Sequence, residues 1–326
     1  MQLAVLNPGG RDPEQRFPDG AGEVDARIHA PVNYHAYAAC TRGGFFRDAK
    51  NVPAEMRAVL VLLRKDLKSA LAAVKTLKAE GRTVAISWKE SGQHQVAQQL
   101  DSAVNLALFR EICSLADGAL SSTPELVRLY IGGGVNVSFC IPTPYPVDDA
   151  RWDFSRPLVE RSGIFIGTRE WDVPSRNHAA ALLRASSLGD PVTVFDLDGR
   201  GGRKKLDAIF PGVSLRVIEK RLDYPSYLRE MAKCRVVFQL DSSAVPGQVA
   251  GDALLCRMPC TGGNGAVDRV AFGEGADLMK LLRDDAAWHD AVDASQARAR
   301  EVLSFSACAA QLREFFGSLA GALLRL

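Results

Sequence analysis

The sequence predicts an α/β chain in two domains, each built on a parallel sheet, and three observations lead there. Short runs rich in β-branched and aliphatic residues, such as Val59-Leu60-Val61-Leu62-Leu63 and Val236-Val237-Phe238-Gln239-Leu240, read as buried strands. They alternate with stretches whose apolar residues recur at helical spacing, the pattern of parallel sheets covered by helices. Pro142, Pro144 and Pro146 interrupt the alternation with a stiff connection suited to an interdomain linker.

Composition narrows the function classes. The 326 residues are 47% apolar and 24% charged, ordinary for a globular chain long enough for two domains. A net charge of +2 gives no basis for general nucleic-acid binding, so no nucleic-acid partner is expected. The seven cysteines are odd in number, mostly embedded in apolar runs, and form no C-x-x-C pair. That pattern predicts buried free thiols in a reducing cytoplasm rather than disulfides or zinc ligands. The opening MQLAVLNPGG has one short apolar run and no basic flank, so it reads as a first strand and not a signal peptide. No stretch reaches the length of a membrane span.

In the first half, Leu3-Ala4-Val5-Leu6 is a strand and Asn7-Pro8-Gly9-Gly10 a tight turn, which either borders a ligand cleft or is a plain surface turn. Residues 11–55 show little periodicity and are either cleft-lining or irregular. The 59–63 strand is followed by a helix with Leu67, Leu71, Val74 and Leu77 on one face, then by a strand at Val84-Ala85-Ile86-Ser87-Trp88. Its carboxyl end carries Lys89, Glu90, Ser91, Gly92 and His94, and ligands of open α/β sheets gather at such ends. Glu90 and His94 are therefore candidates for acceptor contact or for a general base; a solvated loop is the plain alternative. One long helix is expected with Val96, Leu100, Val104, Leu108, Ile112 and Leu115 aligned, then a strand near 118–121, a helix over 124–130 and a last strand over 135–141.

In the second half, Gly163-Ile164-Phe165-Ile166-Gly167 is a strand, with Arg169 and Arg176 beyond its carboxyl end. Strands follow at 192–195, ending in Asp196-Leu197-Asp198, and at 213–217. A helix begins near Tyr224. The 236–240 strand then leaves through Asp241-Ser242-Ser243, and Pro246-Gly247 opens a helix with Gln248, Val249 and Asp252 on one face. Pro259 stops that helix before a short strand at Cys260-Thr261. A strand–loop–helix of this kind turns free backbone N–H groups and a positive helix end toward whatever lies above the sheet, and a diphosphate is the usual anion there. The tail from Asp277 onward is helical and amphipathic.

The 235–264 segment resembles the donor-site motif of retaining glycosyltransferases of the family-4 type. In that motif two glutamates with seven intervening residues flank a helix-starting glycine, and Gly-x-Pro follows. Gly247 stands at the glycine, Asp252-Ala253 at the second Glu-Ala and Arg257-Met258-Pro259 at the Gly-x-Pro, while Ala244 replaces the first glutamate. The resemblance implies the GT-B fold, two Rossmann-like domains facing across a cleft. It implies an acceptor-side domain over 1–147, a donor domain over 148–306 and a final helix over 307–326 packing back on the first domain. Arg169 and Arg176 take the places of the two cations that neutralise the departing diphosphate, and arginine holds phosphate bidentately. Gly9, Gly10, Gly167, Tyr224, Pro246, Gly247, Gln248, Val249 and Asp252 are the implied substrate contacts, Tyr224 toward the nucleobase and Asp252 toward sugar hydroxyls. The implied activity is sugar transfer from a nucleotide sugar to a glycan, lipid-linked or small-molecule acceptor. It needs neither metal nor cofactor, and association with a membrane surface is compatible with it. Asp-x-Asp at 196–198 is the metal-diphosphate pattern of the other glycosyltransferase fold and is read here as a loop. Two rivals stand beside this reading: a catalytically silent scaffold of the same fold, to which Ala244 points, and a two-lobed small-molecule binding protein of the periplasmic type, against which the absent signal peptide and the free cysteines argue.

Overall fold

The computed structural model describes residues 1–167, 173–195, 202–273 and 276–323. The chain forms two compact units. The first holds Met1–Glu23, Arg27–Asp148 and the chain from Val302 onward; the second holds Val24–Ala26 and Asp149–Glu301.

The first unit is a seven-stranded sheet. Its elements are β1 (Leu3–Leu6), β2 (Gln15–Arg16), α1 (Tyr34–Cys40), β3 (Gly44–Phe46), β4 (Ala58–Leu63), α2 (Leu67–Ala79), β5 (Thr83–Trp88), α3 (Gln93–Gln99), α4 (Ala103–Leu115), β6 (Gly118–Ser121), α5 (Val127–Gly133) and β7 (Ser138–Cys140). The strand order is β2-β3-β1-β4-β5-β6-β7, and every pairing is parallel except β2 with β3. All six residues of β4 are buried, the continuous apolar strand expected of a sheet covered on both faces. Val59, Val61, Ile86 and Trp88 pack with Val74 and Leu77 of α2 and with Phe109 and Ile112 of α4.

Three sequence expectations change here. The 96–115 helix is two helices, because Ser102 turns extended and accepts the Asn105 N–H at 3.1 Å as a cap that restarts the helix. The strand expected over 135–141 is confined to Ser138–Cys140. The aperiodic 11–55 stretch contributes α1 and β3, elements too short to show a period. Beside β3, Gly43 lies so close to Leu3 that a Cβ there would stand 1.9 Å from the Leu3 carbonyl oxygen.

The second unit continues with β8 (Ile164–Ile166), α6 (His178–Ser186), β9 (Val192–Phe195), α7 (Gly202–Ile209), β10 (Leu215–Ile218), α8 (Tyr224–Met231), β11 (Val236–Phe238), α9 (Gln248–Leu255), β12 (Cys260–Thr261), α10 (Ala266–Ala271), α11 (Leu278–Arg283) and α12 (Asp285–Val302). Its five strands are all parallel in the order β10-β9-β8-β11-β12. Numbered from its own first strand, that is the 3-2-1-4-5 order of a doubly wound nucleotide-binding domain. Ile164, Ile166, Val194, Val236 and Phe238 form its core with Leu182, Leu206, Leu281 and Leu282.

The chain re-enters the first unit where Tyr145 N–H donates to the Leu303 carbonyl at 2.8 Å. The last helix, α13 (Phe305–Leu323), lies against that unit, with Leu319 filling the space above Gly118.

Candidate functional site

In the 3-2-1-4-5 order, connections leave β8 and β11 toward opposite edges of the sheet, so a crevice opens at their carboxyl ends. Two loops meet there. After β8, a short 3₁₀ turn at Pro174–Arg176 precedes α6; after β11, residues 240–247 lead into α9. They are stitched together. The Ser242 N–H donates to the Ser175 carbonyl at 2.8 Å, the Asn177 amide donates to the Leu240 carbonyl at 2.9 Å, and the Ser175 and Ser243 hydroxyls lie 3.0 Å apart.

Arg176 projects into this join and forms an ion pair with Asp241. Asp241 is 7% exposed, and its other oxygen accepts from the Ser243 N–H at 2.8 Å and from the Ser243 hydroxyl. The predicted phosphate-binding arginine is thus held at the crevice by a buried carboxylate. Arg169, Asp196 and Asp198 lie outside the described residues.

Gly167 ends β8 where only a glycine fits, since a Cβ would stand 2.7 Å from Val249 Cγ2 in the first turn of α9. Gly247 precedes α9 with φ +87°, a conformation L side chains rarely adopt, and a Cβ there would meet Asp268 Oδ2 at 2.7 Å. Pro246, Gln248 and Val249 surround it, partly exposed. The α9 amino terminus therefore sits directly beside the end of β8, as an anion site at a switch point requires. Ala244, at the position of the missing glutamate, is 8% exposed with φ +48°, its N–H donating to Asn264 Oδ1 at 3.1 Å.

Asp252, expected to face sugar hydroxyls, is 1% exposed and points into the packing of α9 on α8. The Tyr224 hydroxyl donates to its Oδ1 at 2.5 Å, and the nearby Tyr227 side chain also favours the charged form. Burial pushes the Asp252 carboxyl up to about 7 despite both side chains. Asp268 is a second such group, missed by sequence reading. It is 5% exposed, lies near Gln239 Nε2 (3.3 Å), and is also pushed up to about 7, chiefly by burial. The glycines at 263 and 265 that crowd around it were the available signal.

The first unit holds the remaining predicted residues. Gly10 packs over Asn7 so tightly that a Cβ would stand 2.1 Å from Asn7 Nδ2. That amide donates to Asp12 Oδ2 at 2.9 Å, and Lys89 forms an ion pair with the same oxygen. Burial alone would raise the Asp12 carboxyl, but the hydrogen bond and charge of Lys89 outweigh it and hold the group below its ordinary value. The predicted β1 turn with Gly9 and Gly10 is thus tied to the end of β5. Beside it His35 is stacked between His29 and Phe45, ring centroids 3.8 and 3.7 Å away, and burial, then the charge of His29, brings it down to about 3.

Glu90 and His94 are partly exposed and make no hydrogen bond or ion pair among the described residues. The segment carrying Glu90 is pinned from below by Tyr34, a residue sequence reading did not single out. Its hydroxyl donates to the Trp88 carbonyl at 2.6 Å and lies 2.8 and 3.1 Å from the Ser87 and Ser91 hydroxyls.

Among the described residues no group of three or more His, Cys, Asp or Glu is placed to hold a metal ion, and all seven cysteines are free thiols. No described helix is long and apolar enough to cross a membrane.

No protein-family model and no curated protein sequence matches the chain. Solved structures do. An α-glucosyltransferase in complex with UDP and a 13-mer DNA containing a central A:G mismatch superposes with a TM-score of 0.58 at 10% identity, over 97% of this chain and 99% of that one. A UDP-forming α,α-trehalose-phosphate synthase from Burkholderia xenovorans in complex with glucose-6-phosphate gives 0.55 at 10% identity, over 97% and 100%. One from Burkholderia vietnamiensis gives 0.57 at 11% identity, over 81% and 71%. Two α/β units with mainly parallel sheets, a 3-2-1-4-5 order in the second, and likenesses of which two span 97% of the chain identify its fold as the GT-B fold of glycosyltransferases.

Proposed function

We propose that the chain is a glycosyltransferase that moves a sugar from a nucleotide-activated donor to a hydroxyl-bearing acceptor. The observation that carries this reading is the Gly167–Val249 contact, which seats the amino terminus of α9 at the switch point of the second unit within a GT-B fold. The donor diphosphate binds there, against the first turn of α9 and the guanidinium of Arg176, with Arg169 as the second cation. As the bond between the sugar and the diphosphate breaks, its electron pair leaves with the phosphate oxygen, and these groups stabilise the charge that develops. The acceptor, a glycan, lipid-linked saccharide or small molecule, is met by the first unit, where Glu90 or His94 takes its hydroxyl proton if the sugar inverts. Neither a metal ion nor a cofactor is needed, because the two arginines carry the positive charge.

Calorimetric titration with UDP, GDP, ADP, dTDP and CMP, followed by turnover against the corresponding nucleotide sugars, tests the reading. Binding of one nucleotide and release of it from its sugar are expected. No binding to any of them would remove the basis of the proposal. A second reading, a catalytically silent protein of the same fold, draws on one observation: Ala244 puts a buried methyl where the motif has its first carboxylate. Nucleotide-sugar binding without turnover for any acceptor would favour it.

A further inference from the structure

We propose that Asp268 is a positioning residue of the diphosphate site, acting through Gly247, and that the donor binds only while the Asp268 carboxyl carries its proton. This rests on the donor reading above. Asp268 stands in the first turn of α10, which begins at Ala266 after Gly265. Its carboxyl does not reach solvent; it is 5% exposed and lies against the start of α9. A Cβ on Gly247 would stand 2.7 Å from Asp268 Oδ2, and a Cβ on Gly265 2.5 Å from it, so that oxygen sits in the space two glycines leave empty. The same segment carries the loop before α9. The Ala266 N–H donates to the Val245 carbonyl at 2.9 Å and the Val267 N–H to the Pro246 carbonyl at 3.1 Å. A change of charge at Asp268 is therefore felt at Gly247 and at the α9 amino terminus that follows it.

The surroundings suit a neutral carboxyl. Asp268 Oδ1 accepts from Gln239 Nε2 at 3.3 Å and from the Cys260 thiol at 3.7 Å, both uncharged donors. Burial pushes that thiol well above its ordinary value, so it stays protonated. No lysine or arginine pairs with Asp268 among the described residues. The charged side chain that faces it from the loop after β11 is Asp241, whose own cation is Arg176. Burial, with the charge of Asp241 added to it, brings Asp268 up to about 7.

An ionised Asp268 would be an unpaired buried charge of the same sign as the diphosphate, with the Gly247 backbone between them. Repulsion in such a site is weakly screened. It also acts in both directions: a bound diphosphate makes the proton harder to remove, and removing the proton loosens the diphosphate. Below about pH 7 the empty chain already holds the proton and affinity is full. Above it a proton must be taken up with the ligand, and affinity falls by at most about tenfold per pH unit, the slope of one proton.

UDP-glucose, or the sugar of whichever nucleotide binds the wild-type chain, is the probe, because a diphosphate esterified at both ends does not itself titrate near neutrality. Asparagine copies the neutral carboxyl. Calorimetric titration should therefore find wild type and Asp268→Asn alike at about pH 6, and Asp268→Asn roughly tenfold tighter at about pH 8.5. Asp252 is common to both chains, so its titration cancels. Wild type alone supplies a second measurement. Binding heats at about pH 7.5 in two buffers of different ionisation enthalpy should report uptake of a substantial fraction of one proton per ligand, a fraction that Asp268→Asn loses. Equal pH profiles for the two chains, or no proton uptake by wild type, would overturn the role of Asp268 and leave the donor reading intact. Weakening of Asp268→Asn by the same factor at both pH values would also overturn it, by making the residue a plain support of the loop. If none of the nucleotide sugars binds at either pH, the proton link and the donor reading fall together.

Discussion

Replacing Asp252 by asparagine should change how stability depends on pH, by an amount the structure sets. The folded chain holds the Asp252 carboxyl at about 7 where an exposed aspartate has 3.8, because burial in the α8–α9 packing penalises the charge more than two tyrosine side chains favour it. The sign follows from proton counting. Between pH 3.8 and about 7 the unfolded chain has released this proton and the folded chain has not, so stability is full below the lower value and falls until the upper one is passed. The difference amounts to about 4 kcal/mol. Asparagine cannot ionise, so the variant avoids this loss.

Asp268 behaves like Asp252 in the same window, and His35, brought down from 6.5 to about 3, works in the opposite direction, its contribution being lost as pH falls. Both are common to the two chains and cancel on subtraction. Urea unfolding of wild type and Asp252→Asn at several pH values between about 4 and 8 therefore isolates the one group. The variant should gain on the wild type by roughly 3–4 kcal/mol across that range and then level off. A difference independent of pH would mean that the carboxylate is solvated, and the buried Asp252–tyrosine arrangement would be wrong.

Three further substitutions or treatments test the site. Gly167→Ala places a methyl 2.7 Å from Val249 Cγ2 and should cost about 1–3 kcal/mol with loss of nucleotide binding; adding Val249→Ala should restore much of both, measured by urea midpoint and titration. Arg176→Gln leaves the buried Asp241 without its cation and should destabilise the chain toward the lower end of about 3–5 kcal/mol. The double variant with Asp241→Asn should regain stability in a melting experiment but not nucleotide affinity, and regained affinity would remove Arg176 from the phosphate site. Turnover in the presence of a strong chelator should match turnover without it; loss reversed by manganese would instead point to Asp196 and Asp198 as ligands.

Much of the second unit was legible in the residues. The apolar runs at 164–166, 192–195 and 236–238 became strands, and Gly247 became the residue preceding a helix, because a strand or a helix start is decided by neighbours within a few positions. The seven free thiols followed from their spacing and apolar surroundings. Sequence periodicity also placed the β5 end that carries Glu90, and the switch-point glycine Gly167.

What the sequence left undecided depends on partners distant along the chain. Whether 93–115 is one helix or two turned on a single cap at Ser102, which the apolar spacing runs straight through. Helix α1 and strand β3 hide in an aperiodic stretch because each is held by the sheet beside it rather than by its own pattern. Arg176 reads as an open cation until Asp241, 65 residues later, is brought against it. Asp252 reads as an open carboxylate until Tyr224, 28 residues earlier, lies over it. Local sequence sets backbone propensity and the choice of apolar face, but the solvation of a charge is set by whatever the tertiary fold packs around it, and the roles of Arg176 and Asp252 depend on that solvation.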